Sequence, residues 1–338
     1  MRSSKVLISQ ALKTILNNLH RTGDPLGIKK AYWTQWINGF SLPRQGETLL
    51  YTARMYQMLP FVAQATKLTE KAQPFLPMLS VKALAKVAEF ANTVVTDPLL
   101  RIRARHDHRI RKRSDAVLAG IVSGLASVKI HPGYLYEKEP YSGVLLHDLE
   151  LEEYVPSIAQ STYKTLKAAK AKTIITVDPH TTFMLREIYP HYIPDYDLNV
   201  RHYLEVLSES HALTPSHHPT ELPQKVVIHD SCVMTRNLGI IQPLRSVLKT
   251  LGIETIEPEN AGINTACCGG PVEYAYADLS RSISGIRAKE LAQTCSDVLV
   301  TCPICLINLM RHEDALGLRI WDIGELLNMT LDSPKTHP

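Results

Sequence analysis

The first 231 of the 338 residues contain no cysteine, so that part of the chain has no thiolate to offer a metal or a redox reaction. No Gly-x-Gly-x-x-Gly, no phosphate-loop sequence and no ferredoxin-type run of cysteines occurs anywhere in the chain. Flavin, nicotinamide and cubane clusters therefore cannot be held by those signatures. Charge of one sign is also scarce, since Lys+Arg 37 against Asp+Glu 33 leaves +4. That balance implies neither nucleic acid nor a membrane surface as partner. No uncharged run exceeds 13 residues, short of the ~18 of a spanning helix, and no transmembrane segment is predicted. The opening Met1-Arg2-Ser3-Ser4-Lys5 has the charge of a signal n-region, but Lys13 interrupts the apolar stretch and no small-residue cleavage site follows. The expectation is a cytoplasmic protein.

What is present is an ordinary globular composition, 45% apolar and 21% charged, on a length that at ~150 residues per domain predicts two domains. All six cysteines, Cys232, Cys267, Cys268, Cys295, Cys302 and Cys305, fall in the last third. Without a secretory signal a disulfide framework is not expected, so metal or redox chemistry is the leading explanation of the cluster.

Helical apolar spacing covers 5–19, and a loop with Gly23, Pro25 and Gly27 ends it. The run TLLYTA at 48–53 reads as a strand, and 55–71 and 76–128 read as helical. The last of these holds a basic segment at 101–113 with six Arg and one Lys. It is either a solvated helix face or a docking site for an acidic partner or anionic ligand. No aromatic residue interleaves the arginines as stacking on nucleic acid would need. A strand is predicted at 173–177, a helix at 181–188, and a Pro/His/Thr-rich linker at 213–223. Strands at 225–228, 254–256 and 298–301 then alternate with helices at 239–251, 275–294 and 306–311. This pattern predicts a mostly parallel sheet covered by helices.

In such a sheet the loops at the carboxyl ends of the strands converge on one crevice. Cys232 follows the strand KVVI, Cys267-Cys268-Gly269 precedes a helix, and Cys302-Pro303-Ile304-Cys305 begins where VLVT ends. Five thiols drawn from 74 positions would meet there. Zinc and iron–sulfur both suit thiolates, and the adjacent pair Cys267 and Cys268 favours a multi-iron site over one tetrahedral zinc. Gly269 and Gly270 are expected to let the backbone approach a bulky inorganic core. Cys295 lies outside this pattern and reads as a small buried residue. His229 and Asp230, just before Cys232, read either as hydrogen-bonding partners that tune the centre or as ordinary strand-end contacts.

The pattern Cys232, 34 residues, Cys267-Cys268-Gly269, 32 residues, Cys302-Pro303-Ile304-Cys305 resembles the cysteine-rich CCG domain found in the B-type and D-type polypeptides of heterodisulfide reductase. Relatives of that family include iron–sulfur subunits of lactate and glycerol-3-phosphate oxidation. The resemblance implies one noncubane [4Fe-4S] cluster on Cys232, Cys267, Cys268, Cys302 and Cys305.

That family carries tandem repeats, and a first copy is visible here. Ile174 to Leu185 aligns with Val298 to Leu309, setting Asp178 opposite Cys302 and Thr181 opposite Cys305. Tyr141-Ser142-Gly143 corresponds to Cys267-Cys268-Gly269, and Arg54 to Cys232. Arg54 to Tyr141 is 87 steps where the intact copy has 35, which implies a helical insertion. The expected fold is α/β, two tandem, pseudo-symmetric doubly wound (Rossmann-like) repeats. Its parts are an N-terminal helical arm at 1–45, a degenerate repeat at 46–212 with a helical insertion at about 62–128, a linker at 213–224 and an intact repeat at 225–330. The vacated first site either forms a polar substrate pocket, with His180 as proton donor beside Asp178 and Arg54 clamping an anionic group, or is inert. In the inert case Asp178 and Thr181 cap a helix and Arg54 is surface charge.

The resemblance implies a heterodisulfide-reductase-like subunit performing disulfide/thiol redox chemistry inside an electron-transfer complex. With one cluster in place of two, the chemistry would run in one-electron steps or in the oxidising direction. Implied partners are a C-type subunit with cubane [4Fe-4S] clusters, an A-type flavin subunit and a lipoate-binding carrier protein. The stretch 21–41 resembles the joint between a ferredoxin module and the CCG region in fused D-type proteins, so that module is expected on a separate chain. The alternatives are a noncatalytic electron-transfer subunit of a lactate, glycerol-3-phosphate or quinone-linked complex, and a zinc-stabilised interaction domain.

Overall fold

The computed structural model describes residues 2–72, 107–210, 212–270, 273 and 276–332. Residues 101–106 of the basic segment and most of the expected insertion lie outside the described residues. The amino-terminal part runs α1 (Arg2–Thr22), β1 (Thr48–Tyr51), α2 (Leu59–Ala72), α3 (His108–Ser127), β2 (Gly133–Tyr134), α4 (Val144–Asp148), α5 (Val155–Ala168), β3 (Thr173–Thr176), α6 (Pro179–Phe183), β4 (Asn199–His202) and α7 (Tyr203–Ser208). The remainder runs β5 (Lys225–Ile228), α8 (Gln242–Thr250), β6 (Glu254–Ile256), α9 (Ala277–Ala292), β7 (Asp297–Val300), α10 (Pro303–Met310), α11 (Glu313–Leu316), β8 (Arg319–Asp322) and α12 (Ile323–Thr330).

The strands form two four-stranded sheets, ordered β2-β1-β3-β4 and β6-β5-β7-β8, with every pairing parallel. The α/β two-repeat architecture read from the sequence is the one observed. Sheet register fixes the equivalences. Leu49 pairs with Ile174 in the first sheet as Val227 pairs with Val298 in the second. Ile174 and Val298 differ by 124 positions, so Asp178 falls at Cys302 and Thr181 at Cys305. Leu49 and Val227 differ by 178, so Arg54 falls at Cys232. Gly143 and Gly269 are both left-handed, at φ 81° and 85°, which supports setting Tyr141-Ser142 against Cys267-Cys268.

The apolar runs form strands because both faces are covered. Leu49, Tyr51 and Ile174 face one buried layer, Leu50 and Ile175 the other, with the period of two that a pleated strand imposes. The second layer is continuous with the core of the second sheet through Val117, Leu118, Ile121 and Leu125 of α3. Each fourth strand runs straight into a capped helix. His202 with Glu205 opens α7, and Asp322 with Glu325 opens α12, both as capping boxes. The short strands β2, β4 and β8, absent from the sequence reading, complete each sheet at its edges. The helix expected at 306–311 starts earlier, at Pro303, because Cys302 is extended and serves as its N-cap.

The two repeats share a tight helix crossing. A Cβ on Gly120 of α3 would lie 1.9 Å from the Gly324 carbonyl oxygen, and one on Gly324 of α12 would lie 2.6 Å from the Val117 carbonyl oxygen. Arg113 of α3 adds an ion pair to Glu325 at 2.7 Å and also donates to the Ile320 carbonyl. Arg109 pairs with Glu313 at 2.7 Å. These arginines of the basic segment therefore join the repeats to each other. Tyr56 donates to the buried Asp322 at 2.7 Å, a further link across the joint. Gly120→Ala is expected to lower stability by ~1–3 kcal/mol through overpacking, read as a lower urea midpoint. An unchanged midpoint would contradict this close packing.

Candidate metal centre

The carboxyl ends of β5 and β7, neighbours in the sheet, feed the site. Beyond β5 the chain passes through His229, Asp230 and Ser231 to Cys232, at the start of a single π-helical turn over Val233–Asn237. Beyond β7, Cys302 is extended at φ −136° and ψ 129° and caps α10, with Pro303 at the first helical position. Cys305 follows three residues on, on the same face of the helix. The loop bearing Cys267 and Cys268 is tied down by Asp230. Its carboxylate accepts from Gly262 N at 2.7 Å and from Arg245 at 2.8 Å through each oxygen, and its carbonyl accepts from the Thr265 hydroxyl at 2.9 Å. Asp230 thus positions the loop and does not turn toward the sulfurs. Gly269 and Gly270 are glycine for a reason other than approach to a cofactor. A Cβ on Gly269 would lie 2.5 Å from the Ser280 carbonyl oxygen, and one on Gly270 would lie 2.1 Å from the Ile304 side chain.

Five of the six thiols gather in this crevice. Cys268, Cys302 and Cys305 are buried, while Cys232 and Cys267 are half-buried. A chain of thiol contacts runs Cys232, Cys267, Cys268, Cys305, Cys302. Hydrogen bonds from Cys232 and then Cys268, with a further one from Gly269 N at 3.3 Å, hold the Cys267 thiol down to about 2. Burial opposes ionisation of Cys302, but hydrogen bonds from Cys305 and His180 keep it well below the usual thiol range. Cys268 is pushed up first by its bond to Cys267, against an opposing bond to Cys305, and Cys305 by its bonds to Cys268 and Cys302; burial adds to both. Like charges so close oppose one another, so the thiols cannot all ionise together without a cation. Cys295 stands apart, in the turn after α9 and half-buried, 3.8 Å from the Lys225 carbonyl at the opposite end of β5.

A ring nitrogen of His229 lies within 4.8 Å of the Cys268 and Cys305 sulfurs. Arg287 Nε donates to His229 Nδ1 at 3.1 Å, which leaves the ring proton on Nε2. Burial, then the Arg287 cation, hold His229 down to about 3, so the imidazole is neutral. Its Nε2 has no hydrogen-bond partner among the described residues. Arg287, 1% exposed, is ion-paired with Glu290 at 2.8 Å and places its buried guanidinium behind the His229 ring. Five sulfurs, a free N–H donor and a buried cation are the donor set and surroundings of a polynuclear iron–sulfur centre. Nothing in the sequence singled out Arg287, which lies among other charged residues of α9.

The first repeat faces the same crevice with different chemistry. Asp178 caps α6, accepting from Thr181 N at 2.9 Å, and burial pushes its carboxyl up to about 6. His180 is buried, with Asp148 3.3 Å from its Nδ1 and the Cys302 thiol close enough to act on its ionisation. Burial disfavours its charge, yet Asp148 and Cys302 hold its imidazolium well above the usual range. Arg54 is neither a surface charge nor a free clamp. It is buried at φ +67°, ion-paired with Asp24 at 2.9 Å, and donates to the Glu139 carbonyl. The structure thus brings His180 to the cysteines and ties Arg54 to the N-terminal arm. Asp148 was missed because only the folded chain sets it against His180.

An apolar cavity of about 200 Å3 lies between the repeats. Met55, Met58 and Leu145 wall it from the first repeat, and Pro303, Ile304 and Ile307 of α10 from the second. A second, polar cavity of about 760 Å3 lies beside Arg54 and α1, with Lys13, Lys30 and Lys138 among its lining.

Thiols converging on the switch point of a parallel sheet define a cysteine-rich, metal-binding α/β protein. Residues 226–310 match the cysteine-rich domain family CCG, so the second repeat is a CCG domain. The chain is 28% identical over 233 residues to a probable membrane-anchored ferredoxin of Chromohalobacter salexigens, covering 65% of this chain and 34% of that protein. It is 26% identical over 226 residues to the probable iron-sulfur-binding oxidoreductase FadF of Bacillus subtilis, covering 64% and 31%. Over 99 residues it is 35% identical to the D-type polypeptide of the dihydromethanophenazine:CoB–CoM heterodisulfide reductase of Methanosarcina acetivorans, covering 28% and 24%. The chain spans about a third or less of the length of these relatives. It carries a CCG cysteine-rich domain at 226–310 and is similar over part of its length to iron–sulfur oxidoreductases. Among the described residues no helix is long and apolar enough to cross a membrane.

In the metal-loaded protein, His229→Phe removes the Nε2–H donor. It is expected to lower the reduction potential by tens of millivolts, on the order of the effect of a hydrogen bond to a cluster sulfur. An EPR-monitored redox titration measures it, and an unshifted midpoint would show that His229 does not act on the centre.

Proposed function

We propose that this protein is an iron–sulfur subunit of heterodisulfide-reductase type that carries one noncubane [4Fe-4S] cluster on Cys232, Cys267, Cys268, Cys302 and Cys305. It performs disulfide/thiol redox chemistry within a multi-subunit electron-transfer complex. The observation that carries this reading is the contact of His180, from the cysteine-free repeat, with Cys302. A site meant only to store an electron has no need of an acid–base group there. Electrons pass to or from a C-type subunit with cubane [4Fe-4S] clusters, and behind it an A-type flavin subunit. The sulfur substrate is presented free or on a lipoate-binding carrier protein, and the protein works in the cytoplasm.

Reducing one disulfide to two thiols takes two electrons and two protons. When bound, the cluster supplies electrons one at a time, so two equivalents of reduced protein are consumed per disulfide. The chain's own residues do the rest. His180, oriented by Asp148, is the group set to hand a proton to the departing sulfur. Asp230 and Arg245 keep the Cys267–Cys268 loop in register, and the buried Arg287 offsets negative charge on the sulfurs. Arg54, held by Asp24, serves the fold of the first repeat and not the substrate.

A second reading, a noncatalytic electron-transfer subunit of a lactate, glycerol-3-phosphate or quinone-linked complex, is favoured by the similarity to a protein named as a ferredoxin and by the engagement of Arg54. Stopped-flow mixing separates the two. Anaerobically reduced protein mixed with a disulfide should lose its EPR signal as thiols appear, and His180→Phe should slow this roughly a hundredfold. If disulfides leave the reduced signal intact while an artificial one-electron oxidant discharges it, the electron-transfer reading stands instead.

A further inference from the structure

The cavity between the repeats has a chemistry of its own. Its walls are side chains of Met55, Met58, Leu145, Ile304 and Ile307, and it ends against the first turn of α10, which bears Cys302 and Cys305. At about 200 Å3 it exceeds the ~150 Å3 apolar cavity that stays dry and accepts benzene. It is therefore roomy enough for a small ring or a short alkyl chain and gives water few partners.

Two carboxyl groups, Asp148 and Glu273, are among its lining, and no Lys, Arg or His is among the described lining residues. Glu273 is buried, which pushes its carboxyl up against the opposing influence of Asn308 and Arg311, and its Oε2 has no partner within hydrogen-bond geometry among the described residues. Asp148 both lines the cavity and contacts His180. The cation expected to receive an anionic substrate, Arg54, lines the other, polar cavity and is bound to Asp24. An anionic group entering here would lose its water among apolar walls, and the nearest cations, His180 and Arg311, are already committed to Asp148 and Glu273. A neutral group with an N–H, O–H or S–H to donate would satisfy the open oxygen.

We propose that this cavity is the substrate entrance and that it selects an uncharged disulfide or thiol carried on a short aliphatic stem, rejecting anionic ones. The inference rests on the sulfur-redox reading above and adds the class of substrate.

Binding of two probes of similar length to the oxidised holoprotein tests it by calorimetry: di-n-propyl disulfide, which is neutral, and bis(2-sulfonatoethyl) disulfide, which is a dianion. The neutral probe should bind at least about tenfold tighter, and Val62→Trp, which fills the cavity, should abolish its binding while leaving iron content unchanged. Glu273→Gln should strengthen binding of the sulfonate probe and leave the propyl probe unaffected. This second variant decides the matter if Val62→Trp fails to fold. Equal or tighter binding of the sulfonate probe, propyl binding that survives in folded Val62→Trp, or no gain for the sulfonate probe in Glu273→Gln would overturn the proposal. Propyl disulfide that binds in the cavity yet never oxidises the reduced protein would leave the selectivity standing and sink the redox reading. Rapid reduction of the sulfonate probe without cavity dependence would do the reverse.

Discussion

Sulfur atoms packed side by side repel one another once ionised and lose hydration if they stay neutral, and five of them share one crevice here. That conflict organises the second repeat. Hydrogen bonds hold the Cys267 and Cys302 thiols below the usual range, while Cys268 and Cys305 are pushed above it. A backbone N–H, a neutral imidazole and a buried guanidinium surround them. A polynuclear cation resolves the conflict by accepting every sulfur as thiolate at once. The parallel sheet supplies the convergence, because β5 and β7 end side by side and release their chains toward the same point.

The first repeat shows the same geometry after its sulfur has gone. Asp178 stands at the position of Cys302 and performs the helix-capping half of that residue's work. Arg54, at the position of Cys232, has a left-handed backbone where Cys232 is right-handed, and it turns to Asp24, tying the N-terminal arm to the first repeat. What remains exposed to the crevice is His180. The second repeat gathers the thiols and the first sets His180 against them, and the two are joined by the close crossing of α3 and α12 at Gly120 and Gly324.

Much of this was legible in the sequence, for reasons that differ by element. The central strands β1, β3, β5 and β7 are short apolar runs that only a doubly covered sheet accommodates, and they read clearly. The edge strands β2, β4 and β8 escaped notice because two residues of Gly-Tyr, or a run such as Asn-Val-Arg-His, carry too little pattern. The π-helical turns at Val233–Asn237, after β5, and at Met184–Ile188, after α6, leave no signal of period 3.6. Cysteine announces itself by type, so the gathering of the five thiols followed from strand-end placement alone. Pairings such as Arg54 with Asp24, His180 with Asp148 and Arg287 with His229 depend on contacts 30, 32 and 58 positions apart. No local pattern encodes those. The basic segment misled in part, since Arg109 and Arg113 are spent on holding the repeats together.

The central claim is that the five cysteines hold a polynuclear iron–sulfur centre, and the metal content of protein purified without oxygen tests it most directly. Iron, acid-labile sulfide and zinc are to be determined per chain on the same sample. The account predicts about four irons and four sulfides, the content of one [4Fe-4S] centre, with negligible zinc. About one zinc with little iron and no sulfide would mark a structural thiolate site and contradict it.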